Sequence, residues 1–194
     1  MTNAQSEYDG LAIEDIVPIA WEPSDFTNSA SLEHANEDTL RALQAIAVFE
    51  ETPRSPTDDL VHMSSENSRI EAKLDLILSL LSNIVSERTA VPSPHAIVLR
   101  NNSIEWQLET DANIGRADTG IANVWINAHI PLPLRLPCRI DGTIERNGYS
   151  WAQGRFEFLA PNVRDGLGQV IFRHHRRQVA IARGTIAPNR RELA

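Results

Sequence analysis

DDLVHMSSENSRIEAKLDLILSLLSNIVSER, residues 58–88, decides how the rest of the chain is read. Its apolar residues recur every seven positions, in alternating steps of three and four. Leu60, Asn67, Leu74 and Leu81 fall at heptad position a, and Met63, Ile70, Ile77 and Ile84 fall at position d. Of these only Asn67 is polar. Apolar a and d positions held over about four heptads describe a self-associating helix. Leu at a with Ile at d favours three or four strands over two, and a lone polar residue at a sets register and oligomer number at some cost in stability. A long amphipathic helix can also serve as cover for its own domain's core. Leu78, Leu80 and Val85 widen the apolar face in the last third, as expected if that end touches a second surface.

The flanks of this stretch define its context. TPRSP (52–56) breaks the chain ahead of it. Ser55 suits an N-cap, Pro56 a first helical position, and Asp58 the acid of a capping box. Pro92 and Pro94 stop the helix on the other side. Residues 31–51 read as a preceding helix, capped by Ser31, with Leu32, Leu40, Leu43 and Ala47 on one face and Ile46 and Phe49 beside it. The two helices form a hairpin, the second about 46 Å long at 1.5 Å per residue.

Outside the hairpin the period changes to two. LAIEDIVPIAW (11–21) reads as a strand in which Pro18 suits an edge or bulge. Ile97 and Leu99 alternate ahead of a turn at Asn101, Asn102 and Ser103. In 124–130, Val124, Ile126, Ala128 and Ile130 face one way, and Trp125, Asn127 and His129 the other. Leu132, Leu134, Leu136, Cys138 and Ile140 alternate with Pro133, Arg135, Pro137 and Arg139, which puts the single cysteine on an apolar face. Asn147-Gly148 is a two-residue hairpin signal joining strands near 136–146 and 149–159, with Gly154 marking a bulge. Residues 161–183 read as a helix ending near Gly184.

The expected fold class is therefore α+β: a small antiparallel β-barrel or sandwich, a helical hairpin inserted after its first strand, and a C-terminal helix. Residues 8–24 and 95–185 make the β unit, 30–90 the inserted oligomerisation hairpin, and 186–194 a flexible tail.

Composition narrows the function. The net charge is −8, with 13 acidic and two basic residues in 1–60, against nine acidic and 13 basic, all Arg, in 90–194. An acidic N-terminal part argues against a polymer of nucleic acid as partner. No 18-residue apolar run and no secretory leader are visible, so no membrane insertion is expected, and one cysteine suits a reducing cytoplasm. No nucleophile elbow, phosphate loop, dinucleotide glycine motif or zinc spacing is present, so no enzyme, cofactor or metal is expected. His174 and His175 are adjacent and diverge by about 100° on a helix, which does not suit chelation.

HAIVLRNNSIEWQLETDANIG (95–115) followed by IANVWINAHIPLPLRLPCRI (121–140) resembles a PilZ domain. EDIVPIAWEP (14–23) and the heptad helix ENSRIEAKLDLILSLL (66–81) resemble its atypical subfamily. The resemblance implies a six-stranded barrel, two helices inserted after the first strand, and a homotetramer assembled by the long helix. PilZ domains typically bind cyclic di-GMP through Arg-x-x-x-Arg before the barrel and Asp/Asn-x-Ser-x-x-Gly on an early strand. In VLRNNSIEW, Val98 stands where the Asp or Asn belongs, Arg100 or Asn101 near the Ser, and Ser103 at the Gly, so the motif is lost. Arg-x-x-x-Arg recurs only downstream, as Arg135 to Arg139 and Arg173 to Arg177. The resemblance thus implies a non-enzymatic signalling or scaffold protein that acts on a protein partner without gripping the nucleotide in the usual way. The alternative is a receptor using Arg100, Arg135 or Arg139.

Overall fold

The computed structural model describes residues 10–50, 91–109, 114–116, 118–127 and 130–186. Every heptad residue from Leu60 to Ile84 lies outside them, as does the 187–194 tail. The described elements are β1 (Ile13–Pro23), α1 (Ser29–Glu50), β2 (Pro94–Leu99), β3 (Ser103–Gln107), β4 (Thr119–Val124), β5 (Leu134–Arg146), β6 (Tyr149–Phe156) and α2 (Pro161–Ile186).

The six strands close into an antiparallel barrel in the order β1-β2-β3-β6-β5-β4, the six-stranded barrel expected. Closure depends on β1 changing partner. Ile13 to Pro18 pair with Leu99 to Pro94 of β2, and Ile19 to Pro23 pair with Val124 to Gly120 of β4. Pro18 sits at that change, where its missing amide costs no ladder bond, and its carbonyl accepts from the Trp125 amide at 3.0 Å. The strand is not an edge, as Pro18 had suggested, because a closed barrel has none.

The inward set contains Ile13, Val17, Ile19, Ile97, Leu99, Ile104, Trp106, Leu134, Leu136, Cys138 and Ile140, all buried. The alternation expected over 134–140 holds except at Pro137, which is buried as well, and Leu132 lies outside the strand and is exposed. Likewise β4 ends at Val124 and the described residues 125–127 lie outside it, while the Ile130 amide turns back onto the Asn127 carbonyl at 3.2 Å. The Asn147-Gly148 turn is as expected, with φ of 55° and 79°, the twist that suits a two-residue hairpin. Gly154 is not the bulge. The register slips on the facing strand, between Ile140 and Gly142, and Gly154 instead makes room: a β-carbon there would lie 3.1 Å from Cys138 Sγ and 3.4 Å from the Trp106 ring.

Two helices cover the barrel. The first is capped by Asn28, whose Oδ1 accepts the Ala30 amide at 3.0 Å, rather than by Ser31. Its buried face is Ala35, Thr39, Ala42, Leu43 and Ile46; Leu32, Leu40 and Ala47 lie at its margin. Small residues let the helix approach β5 closely, which a search for large apolar residues overlooks. Leu43 fits against Gly166 of α2, and Val163, Leu167, Val170 and Ile171 bury the facing stripe. Each such side chain contributes about 1.5–3 kcal/mol when fully buried. The last helix runs through Gly184 to Ile186, two residues beyond the stop expected there.

Candidate functional site

A barrel that grips an anionic nucleotide needs guanidinium groups able to turn outward to it. Five arginines stand on or beside the described strands: Arg100, Arg135, Arg139, Arg146 and Arg155. Each is held by a carboxylate.

Arg100 follows β2 and reaches Glu105 across the β2–β3 turn, at 3.2 Å. Glu105 also accepts Arg146 at 2.8 Å, and the Arg146 guanidinium lies 4.9 Å from the Trp151 ring centre. Arg155 pairs with Asp141, beside the bulge, at 2.9 Å. Arg139 meets Glu157 through two bonds, 2.8 and 3.2 Å long. These bonds and the charge behind them raise the guanidinium pKa above its ordinary value.

Arg135 joins the barrel to α1. Its guanidinium reaches Glu22 at 3.2 Å, Asp38 at 3.3 Å and Asn123 Oδ1 at 3.3 Å. Its backbone is held as well. At this point β6 has not begun to pair, since the β5–β6 ladder starts at Cys138 and Phe156. Thr39 of α1 takes the missing strand's place: its Oγ1 accepts the Arg135 amide at 2.9 Å and lies 2.8 Å from the Arg135 carbonyl oxygen. Two residues on, Pro137 has no amide to satisfy, and its carbonyl accepts from the Glu157 amide at 3.0 Å.

The positions where the lost motif would stand give no substitute. Val98 is 6% exposed and apolar. Arg135 and Arg139 alternate with the inward residues of β5 and so face outward about 13 Å apart along the strand, too far for one fork. Arg173 and Arg177 lie one turn apart on α2. A depression of about 440 Å³ does cross β3, β6 and β5, lined by Asn102, Ser103, Glu105, Asp141, Gln153 and Arg155. Its two carboxylates and one guanidinium make it a poor host for an anion.

Other chemistry is equally constrained. Cys138 is buried, and burial pushes its thiol up to about 12, so it is a packing residue, as its alternation with Arg135 and Arg139 suggested. Among the described residues, no three His, Cys, Asp or Glu side chains converge as a metal site would require. No described helix is long and apolar enough to cross a membrane. Sequence reasoning missed the carboxylates Glu22, Asp38, Glu105, Asp141 and Glu157. Only Glu105 was within reach of a local signal, as the near neighbour of Arg100 across a tight turn.

Comparison with known proteins places this arrangement. A family model described as "Atypical PilZ domain, cyclic di-GMP receptor" matches residues 40–184. A solved structure from Xanthomonas campestris, described as a new tetrameric PilZ domain self-assembled via an unusual helical bundle, superposes with a TM-score of 0.65. It is 24% identical and the match covers 90% of this chain and 92% of that one, which shows a shared fold. No curated protein sequence matches the chain. With the family model spanning well over half of its length, the chain belongs to the atypical PilZ domain family.

Proposed function

We propose that this chain is a non-enzymatic signalling or scaffold protein of cyclic di-GMP pathways, which assembles through its heptad helix and acts by contact with protein partners. The observation that carries this reading is the pairing of Arg100, Arg135 and Arg139 with Glu105, Glu22 and Asp38, and Glu157. A nucleotide phosphate would have to displace these carboxylates, losing charge-assisted bonds before making its own. The buried, apolar Val98 at the first motif position supports the same reading. The Leu/Ile seam at Leu60, Met63, Ile70, Leu74, Ile77, Leu81 and Ile84, with Asn67 setting register, supports assembly, and a helical bundle is what the Xanthomonas campestris relative is described as using. A homotetramer is the expected state.

The second reading, a nucleotide receptor working through Arg100, Arg135 or Arg139, draws on the family's description as a cyclic di-GMP receptor. Solution mass by light scattering, with and without cyclic di-GMP, tests both. The first reading expects four chains in each case and no calorimetric heat at high micromolar nucleotide. A monomer mass refutes assembly. Saturable heat that disappears in Arg135→Gln or Arg139→Gln establishes the second reading instead.

A further inference from the structure

Two loops that meet beside the start of α1 each present a phenylalanine in the left-handed region: Phe26 at φ 56° and Phe158 at φ 58°. Bulky side chains are rare there, and Gly or Asn would take the same backbone with less strain. The rings touch edge to face with centres 5.7 Å apart. The loops are held from behind. Asn36 of α1 donates to the Phe158 carbonyl at 3.0 Å and accepts the Ala160 amide at 2.7 Å. Asp25 Oδ1 accepts both the amide and the hydroxyl of Thr27. The strained conformation is therefore built, yet Phe158 remains 61% exposed, so the fold gains little from its ring. Strain that is held in place for no more than one edge-to-face ring contact marks a surface used elsewhere.

Of the seven carboxylates between Gly10 and Leu40, Glu22, Glu37 and Asp38 meet Arg135 or Arg41, and Glu14 and Asp15 open β1 at its far end, so Asp25 and Glu33 are the ones beside the pair. Asp25 adjoins Phe26, and the hydrogen bonds from Thr27 keep its carboxyl ionised below the ordinary range. Glu33, exposed, lies one turn before Asn36 on the side of α1 that clamps Phe158. The cation beside Glu157, Arg139, is already neutralised by it. The geometry points to Phe26 and Phe158 as the anchor of a docking surface for a separate protein whose contact residue is apolar or aromatic and flanked by Lys or Arg. This rests on the reading of the chain as one that acts by protein contact, and it names the surface and the chemistry of the partner. Rigid aromatic anchors inside a charged rim are the usual source of affinity at such contacts.

The test uses the full chain with 4-fluorophenylalanine at its five Phe positions. The ¹⁹F signals are assigned by single Phe→Leu replacements and titrated with the blocked tripeptides Arg-Trp-Arg and Glu-Trp-Glu at millimolar concentration. The signals of Phe26 and Phe158 are expected to move with the cationic peptide alone, and Asp25→Lys to reduce that movement at least threefold. Phe158→Asn is expected to abolish the movement at Phe26 while leaving the thermal midpoint unchanged or raised. Equal response to both peptides, or none, overturns the proposal. So does a lowered midpoint in Phe158→Asn, which would give the ring a role inside the fold. Movement with protein concentration and no peptide assigns the surface to a second copy instead. Solution mass and nucleotide calorimetry judge the signalling reading separately. A silent ¹⁹F titration in an assembled chain that ignores the nucleotide overturns the docking surface alone.

Discussion

Thr39→Val removes one hydroxyl and keeps nearly the same volume in a side chain with no exposed surface. In the native chain that hydroxyl serves the backbone of Arg135, accepting its amide at 2.9 Å and lying 2.8 Å from its carbonyl oxygen. The Ala35 carbonyl, also 2.8 Å away, keeps its ordinary helix partner after the change, since the Thr39 amide stands four residues on. The Arg135 groups have no such reserve, because β6 is not yet alongside. A buried donor left without a partner costs about 1–3 kcal/mol. With a second backbone group also weakened, the expected loss is about 2–3 kcal/mol. That is a large share of the roughly 5–15 kcal/mol that stabilises a domain. Urea unfolding followed by tryptophan fluorescence, at one fixed protein concentration so that any association contributes equally, measures it. Thr39→Ser is the control: it retains the hydroxyl and loses a methyl, so about 1 kcal/mol is expected. If Thr39→Val unfolds at the wild-type midpoint, or Thr39→Ser is as damaging as Thr39→Val, the strand-replacing role of this hydroxyl is wrong.

Further outcomes follow from the same packing. Gly120→Ala would put a β-carbon 2.5 Å from the Glu22 carbonyl oxygen and 2.6 Å from the Trp21 ring; a loss of about 1–3 kcal/mol is expected, with altered near-ultraviolet dichroism from Trp21 and its stacked partner Trp106. Leu74→Asp with Ile77→Asp is expected to give a monomer in light scattering whose barrel keeps its near-ultraviolet signal; a persisting tetramer refutes the heptad seam. Cys138 is expected to react with Ellman's reagent at pH 8 far more slowly in the folded chain than in urea. Because burial raises its pKa from 9.0 to about 12, the fold disfavours the thiolate. Its contribution is intact below pH 9 and declines as pH rises toward 12, so the urea midpoint should fall across that interval and, through this group, stay level below it.

The differences between the sequence-based expectations and the structure share a cause. Gly154 suggested a bulge because a glycine inside a strand often marks one, but what it serves is the close approach of Cys138 and Trp106 from two other strands. Of the α1 face expected at Leu32, Leu40, Leu43, Ala47 and Ile46, Leu43 and Ile46 are buried, while Ala35, Thr39 and Ala42 complete the buried centre. Small and polar side chains carry a weak hydropathy signal, and their value here comes from the backbone of β5 pressed against them. Val124 to Ile130 alternates in hydropathy as a strand would, yet among the described residues no neighbouring strand is paired beyond Val124.

Short-range physics makes part of this fold legible in the amino-acid order. The Asn147-Gly148 hairpin, the alternation from Leu134 to Ile140, the helix after Pro161, the placement of α1 after β1 and the burial of Cys138 follow from turn chemistry and periodicity within a few residues. The loss of the nucleotide motif at Val98 and Ser103 was equally plain in the sequence. The folded barrel is what assigns carboxylates to Arg135, Arg139, Arg146 and Arg155, lets one threonine of α1 complete β5, and brings Phe26 and Phe158 onto one surface. Those partners lie 96, 97, 113 and 132 residues apart for Thr39–Arg135, Asp38–Arg135, Glu22–Arg135 and Phe26–Phe158. Their meeting depends on the register of a closed barrel, which no local spacing in the chain specifies.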